Sequence, residues 1–456
     1  MVESEYLKYS VIRGMKMVVG IKHLQSSTQI IHLDSIKILT DPWLTEGEYM
    51  GSWFHYPPFG ETNISNLDYD YIYVSHIHPD HASESTFSKL PSKVPVLIHE
   101  FSSKFLKRKI ESFGYEVYEL KHGESFTFLN GASITIFAAD NCDPELCLKF
   151  MGCAPSEDAY QSTQIDTLAL FEYNGIRVLN TNDCPFELAS QTIIANGLDR
   201  LKVDALLVGY AGAGPYPQCF EFDSYECLKR AAKEKETKFL ESASAFVKLV
   251  QPKVFIPFAG TYVLGTRLSS LNDVRGIPKI DRAIEFIEKK VEYASIGVNL
   301  KQNEALDLEN GTKLQSGVDS QISYENYINV IGKKKLDYDD DVWDETELLA
   351  LIDAAYMRFV IKAREINFKS ATQIIVETAQ IVFSFSCENP PLVGHKNVSK
   401  CQFVKLKLDH NLLHRLLRGP KYAHWNNATI GSHIQYSRNP DVFERGLYHA
   451  LNFFHK

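Results

Sequence analysis

The sequence contains no run of roughly 18 apolar residues, the length that a membrane-spanning helix needs. Its first twenty residues, MVESEYLKYSVIRGMKMVVG, interleave charge with apolar groups and carry neither a sustained hydrophobic core nor a small-residue cleavage site. Neither a membrane partner nor a signal peptide is therefore expected. Cysteine is sparse, with 8 in 456 residues and no CxxC pair. That excludes a disulfide scaffold and fits reduced thiols in the cytoplasm. Positive charge is in deficit: 48 Lys and Arg stand against 57 Asp and Glu, giving a net charge of −9. A duplex-binding protein would show the opposite balance, so no nucleic-acid partner is expected, although an acidic whole can still hold a basic pocket. Histidine is missing altogether between His122 and His395. What is present is an ordinary globular composition, 45% hydrophobic and 23% charged, at a length that suits two domains.

Apolar, β-branched runs predict strands at Met17–Ile21, Thr28–Leu33, Ser35–Thr40, Asp70–Ser75, Pro95–His99 and Tyr115–Leu120. Strands are also expected at Ser125–Leu129, Ser133–Ala138, Asp166–Tyr173, Ile176–Asn180, Val203–Val208 and Lys253–Pro257, with Asn130-Gly131 and Asn174-Gly175 as hairpin turns. Ser83–Leu90, Ser102–Phe113 and Ser224–Leu249 read as helical, while Asn141–Gln164 has no period and reads as a long loop. Strands interleaved with helices suit an α/β sandwich of two sheets covered by helices. The character changes near Asn299–Ser316, which places a boundary between residues 1–310 and a smaller α+β domain at 311–456. In that second part Glu345–Lys362 and Leu412–Leu417 read as helices, and Gln373–Phe385 and Gln402–Leu408 as strands.

The strongest signal is Ser75-His76-Ile77-His78-Pro79-Asp80-His81, directly after an apolar strand. A strand end can turn His76 and His78 toward one point and Asp80 and His81 toward a second beside it. Imidazole and carboxylate suit zinc and non-haem iron alike. Four ligand-type residues this closely spaced outweigh the bland alternative of a polar surface loop. Asp183 ends a later strand in Leu179-Asn180-Thr181-Asn182-Asp183-Cys184. Alone it reads as a turn residue; beside the first motif it reads as a ligand.

This HxHxDH motif resembles that of the metallo-β-lactamase superfamily. The resemblance implies an αββα sandwich and gives Asp183 the place of the aspartate that bridges two metals. The superfamily adds a histidine between the two motifs and another near the end of the domain, and this sequence has neither. Asp143, in Asp140-Asn141-Cys142-Asp143-Pro144-Glu145, is the candidate for the first vacancy, with Asp140 second. The second falls at Pro257-Phe258-Ala259-Gly260, which offers no ligating side chain. Further landmarks resemble the narrower family of CMP-N-acetylneuraminate hydroxylase-like proteins: Asp41-Pro42-Trp43-Leu44, Trp53–Pro58, Gly209–Pro217 (GYAGAGPYP), Lys238–Phe246, Val254–Gly260 and His424–Gly431.

What that likeness implies is a monooxygenase hydroxylating a small or nucleotide-linked sugar substrate. Its cofactor would be two metal ions, iron favoured over zinc or manganese, with Asp80 and Asp183 catalytic. The family's Rieske centre needs Cys-His pairs close in sequence. None occurs here, so a separate electron donor, a ferredoxin or Rieske protein, is expected. The alternative is a hydrolase of a phosphodiester, lactone or amide, in which the metals activate a water. A scaffold with a decayed site fits least, because the ligand set is intact. Around the centre, Asp41 is expected to orient a ligand imidazole. Tyr210 and Tyr216, in the glycine-rich loop, are expected near the substrate. The run His424–Asn427 is a candidate to close over the site from above, and the other C-terminal histidines read as surface or packing residues.

Overall fold

The computed structural model describes residues 17–139, 166–314, 322–394 and 402–456. Two sheets lie face to face. The first has eight strands in the order Thr312–Lys313, Ala305–Asp307, Val19–Gln25, Thr28–Leu33, Ile36–Thr40, Tyr71–Tyr73, Val96–His99 and Val117–Leu120. The second has seven, ordered Ile296–Gly297, Val254–Phe258, Ala205–Gly209, Ile176–Asn180, Thr167–Tyr173, Ser133–Ala138 and Glu124–Thr127.

Period-two alternation decides which layer each side chain enters. Ile31, Ile38, Tyr73 and Leu97 from one sheet meet Ile134, Phe171, Val178, Leu207 and Ile256 from the other in a shared inner core. Their neighbours Ile30, Leu39, Ile72 and Ile98 point the other way, onto Phe87 of the helix Glu84–Lys89 and Leu106 and Ile110 of Phe105–Ser112. Leu170, Leu179, Leu206 and Phe255 likewise point outward, onto the helices Phe186–Ala195, Tyr225–Val250 and Ile280–Lys290. The result is the metallo-β-lactamase αββα sandwich. Each fully buried Leu, Ile or Phe in these layers contributes about 1.5–3 kcal/mol.

Local chemistry sets the ends of these elements. Asn174 and Gly175 take φ of 50° and 78°, the left-handed pair that a two-residue hairpin requires, between Thr167–Tyr173 and Ile176–Asn180. Ser83 and Ser224 cap their helices by accepting from the backbone N–H of Thr86 and Cys227.

From Leu336 onward the chain builds another apolar cluster. A mixed five-stranded sheet, ordered Leu392–Val393, Val382–Phe385, Gln373–Glu377, Phe403–Lys407 and Gln435–Asn439, packs with the helices Leu348–Glu365, His410–Arg418 and Arg445–Leu451. Gln373–Phe385, read from sequence as one strand, is two. The Thr378 hydroxyl accepts from the backbone of Gln380 and Ile381 and folds the chain into a turn between them. The sandwich reaches into this part of the chain. Cys219 enters its core, Tyr436 N–H donates to the Cys219 carbonyl at 2.7 Å, and the Phe220 and Tyr436 rings stack at 5.0 Å. Among the described residues no helix is long and apolar enough to cross a membrane.

The parallel strands Ile36–Thr40, Tyr71–Tyr73, Ile176–Asn180, Ala205–Gly209 and Val254–Phe258 all run toward one edge of the sandwich. The segments that leave those strands carry Asp41, His76–His81, Asp183 and the loops beginning at Tyr210 and Ala259. Carboxyl ends of parallel strands are where α/β folds gather their functional groups.

Candidate metal centre

Asp41 leaves its strand with φ of 42° and is fully buried. Its Oδ1 accepts from Ser75 N–H at 2.7 Å and its Oδ2 from Ser75 Oγ at 2.8 Å, which pins the start of the histidine loop. The same Oδ2 lies 2.8 Å from His81 Nδ1. Once a cation displaces its second proton, His81 keeps the one on Nδ1 and turns a bare Nε2 inward. That atom is buried, makes no hydrogen bond, and faces Asp183 Oδ2 at 3.3 Å and Asp80 Oδ2 at 3.5 Å.

His76 Nε2 and His78 Nδ1 face each other at 2.8 Å. His76 Nδ1 lies 2.6 Å from Asp166 Oδ1. With a cation between the two rings, the His76 proton belongs on Nδ1, where the Ser75 hydroxyl, 2.9 Å away and itself donating to Asp41, takes the hydrogen bond and Asp166 adds a carboxyl group alongside. His78 Nε2 meets the Asn426 amide at 3.2 Å, and that amide, turned over, accepts the Nε2–H through Oδ1. Tyr49 O–H donates to Asp80 Oδ1. One donor atom each from His76, His81 and Asp183 falls within 4.8 Å of the others, with His78 and Asp80 at the flanks.

The electrostatics match this arrangement. Burial, then the His81 charge, pushes His76 down to about 4. Burial, then His76, pushes His78 to about 3. Both rings are neutral at pH 7 and keep lone pairs for a cation. Burial opposes charge on His81, but Asp183, Asp41 and Asp80 outweigh it and hold that ring well above its ordinary value. Burial also works against the Asp183 carboxylate, yet His81 and the other two imidazoles hold it well below the usual range. Burial and the neighbouring Asp183 charge raise Asp166. A proton shared between His81 and the carboxylates occupies the place a divalent cation would take, and the donor set fits one.

The sequence-level candidates are distributed as follows. His76, His78, Asp80, His81 and Asp183 come together, and Asp41 lies directly behind His81. Asp143 and Asp140 lie outside the described residues. Tyr216, 40% exposed, lines a cavity of about 570 Å³ together with His78, Lys235, Lys238, Phe239 and Asn426. A second cavity of about 400 Å³ begins at Asp183 and shares Ala213, Lys238 and Phe239 with the first. Tyr210 is 1% exposed and lines neither, packing instead among the outer-layer residues beside Gly260. Trp43, Trp53 and His55 are buried in an aromatic stack with Tyr49 and Tyr262.

Three residues escaped the sequence reading: Asp166, Tyr49 and the specific contact of Asn426. Asp166 directly precedes an apolar strand, and that position is its only sequence signal. A second constellation lies in the C-terminal part of the chain. His410 and His414, one turn apart, bring Nε2 to Glu345 at 3.0 and 3.2 Å. His414 Nδ1 accepts from Arg418 at 3.0 Å, which puts its proton on Nε2 and makes the trio a hydrogen-bonded clamp between two elements.

No family model matches the chain. Among curated proteins it is similar to the cytidine monophosphate-N-acetylneuraminic acid hydroxylase of Danio rerio, 28% identical over 236 residues, covering 50% of this chain and 35% of that protein. That of Asterias rubens is 29% identical over 241 residues, covering 51% and 33%. The matched segment thus spans about a third of the length of these relatives. Among solved structures, CmlA, a diiron β-hydroxylase from Streptomyces venezuelae, aligns over 63% of this chain and 54% of its own at 13% identity and a TM-score of 0.37. A possible metal-dependent hydrolase from Veillonella parvula aligns over 64% and 100% at 16% identity and 0.42. The fold assignment stands on the sheet order and layer packing described above. The chain has the metallo-β-lactamase fold and, over about half its length, is homologous to the CMP-N-acetylneuraminic acid hydroxylases.

Proposed function

We propose that the chain is a metal-dependent hydroxylase, a monooxygenase whose centre holds two metal ions, iron favoured, and acts on a small or nucleotide-linked substrate. The observation that carries this reading is the gathering of donor atoms: one each from His76, His81 and Asp183 within 4.8 Å of one another, with His78 Nδ1 2.8 Å from His76 Nε2 and Asp80 Oδ2 3.5 Å from His81 Nε2. The similarity to hydroxylases in sequence supports the reaction type. A donor set with three imidazoles and two carboxylates suits iron or manganese at least as well as zinc. When bound, the ions supply Lewis acidity and, as iron, the means to activate dioxygen.

The protein's own groups do the rest. Asp41 fixes the tautomer of His81, the Ser75 hydroxyl that of His76, and Tyr49 holds Asp80. The cavity bordered by His78 and Phe239 receives the substrate. Electrons come from a separate donor of the ferredoxin or Rieske type. Hydrolysis of a phosphodiester, lactone or amide is the second reading. It is favoured by the openness of Asp183, 35% exposed, which lets water reach the centre.

Elemental analysis of protein purified without added metal, with its optical spectrum, separates the two. About two irons per chain and the visible absorption of a coupled ferric pair are expected. Two zincs with turnover of a phosphodiester or lactone would overturn the hydroxylase reading. Asn426 gives a further expectation. Asn426→Ala should leave the melting temperature nearly unchanged but weaken metal retention by about tenfold, the usual loss when a group behind a ligand imidazole is removed. Competition with a chromogenic chelator measures it, and unchanged retention would remove Asn426 from the centre.

A further inference from the structure

Two lysines line the cavity that His78 borders, Arg275 is buried near one of them, and none of the described carboxylates forms an ion pair with the three. Lys235 and Lys238 line it; the only acidic side chain on its wall is Glu234. The Lys235 amine donates to the Tyr216 carbonyl at 2.9 Å. Burial, and then the charge of nearby Arg275, pushes its pKa down to about 7. Arg275 is 5% exposed. Its Nη2 donates to the Tyr262 carbonyl at 2.9 Å and its guanidinium lies 4.4 Å over the Tyr262 ring, while Nε and Nη1 have no acceptor. Burying a guanidinium with donors unspent, close to a desolvated amine, is costly unless an anion completes the arrangement. Lysine on a flexible stem serves such an anion as a point charge, and arginine behind it adds field.

We propose that Lys235, backed by Arg275 and accompanied by Lys238, forms an oxyanion subsite that holds a phosphate or carboxylate group of the substrate in the cavity beside His78. The word substrate rests on the reading of the metal centre given above, whereas binding of the anion does not. The two are therefore tested apart.

The full chain, dialysed against a chelator and verified metal-free, is titrated with inorganic phosphate and in parallel with acetate. Ionic strength is held constant with chloride, and binding is followed by calorimetry. Saturable binding of at least one anion is expected, weakened roughly tenfold or more in Lys235→Met, as for loss of a charge-assisted contact. It should be retained in Lys235→Arg. Tighter phosphate marks a phosphate ester as the natural group, and tighter acetate a carboxylate; both support the subsite. Absence of saturable binding of either anion to the parent chain overturns the proposal. So does equal binding by a folded Lys235→Met, or binding that occurs only after metal is restored. Because the parent titration alone can overturn it, misfolding of a variant would not shelter the idea. Failure of the chain to hold any metal would sink the proposed function and leave this subsite standing.

Discussion

Asp183→Asn is expected to strip the centre of metal and to lower turnover by roughly a thousandfold or more, with the fold intact. Losses of that size follow when one member of a group acting as a unit is removed. Asp183 lies 3.3 Å from His81 Nε2 and clusters with His76. Three imidazoles hold it ionised despite burial around it. The amide of Asn keeps the shape but brings no charge, and one of its two ends is a donor aimed at atoms that need acceptors. The side chain is 35% exposed, so the exchange disturbs little packing. Metal content by elemental analysis and melting by circular dichroism separate a lost ligand from a lost fold. A variant that keeps both its metal and its turnover would show that Asp183 is an ordinary strand-end residue.

How far the site was legible from sequence depends on distance along the chain. His76, His78, Asp80 and His81 sit within six residues, and no fold is needed to see that they can share a cation. The β-branched runs and the Asn174-Gly175 turn were legible for the same reason, since each is decided by a few adjacent residues. Asp41 lies 34 residues from Ser75, and only the family resemblance suggested it; the parallel pairing of the strands they follow is what brings the two together. Asn426 lies 348 residues from His78, and no local pattern can announce that meeting. Tyr49 and Met50 take left-handed φ of 52° and 58°, which turns the Tyr49 hydroxyl toward Asp80. Nothing in Glu48-Tyr49-Met50-Gly51 favours that conformation; the packing of Trp53 and Tyr262 around it does. Tyr210 shows the converse limit. The glycines around it mark a loop at the site, but which side chains of that loop face the cavity is settled only by packing.

The same packing makes the protein acid-labile, and the expected effect is large. His433 donates Nε2–H to the Tyr49 carbonyl at 2.7 Å and accepts from Tyr338 O–H at 2.9 Å. Burial pushes its pKa down to about 4, as it does for His23, and pushes His55 to about 3. A depressed histidine resists protonation in the folded chain, while the unfolded chain takes up the proton near pH 6.5. Stability from these residues is therefore complete above pH 6.5 and falls as pH drops toward 4. Each is worth about 3 kcal/mol over that window, and the three together about 9 kcal/mol. Glu48 works in the opposite sense. Burial raises it to about 7, so it loses stability as pH climbs from 4.5 to 7 and offsets about one of the three histidines. The remainder is still comparable with the roughly 5–15 kcal/mol that separates a folded domain from its unfolded chain. The melting temperature should thus drop steeply between pH 6.5 and 4.5. His433→Gln should flatten that slope by close to one proton's worth, at the cost of a lower plateau. A flat profile down to pH 4.5 would mean that these imidazoles are hydrated in solution. Because His433 holds Tyr49 and Tyr49 holds Asp80, loosening there should release metal at a higher pH than the one at which helix content is lost.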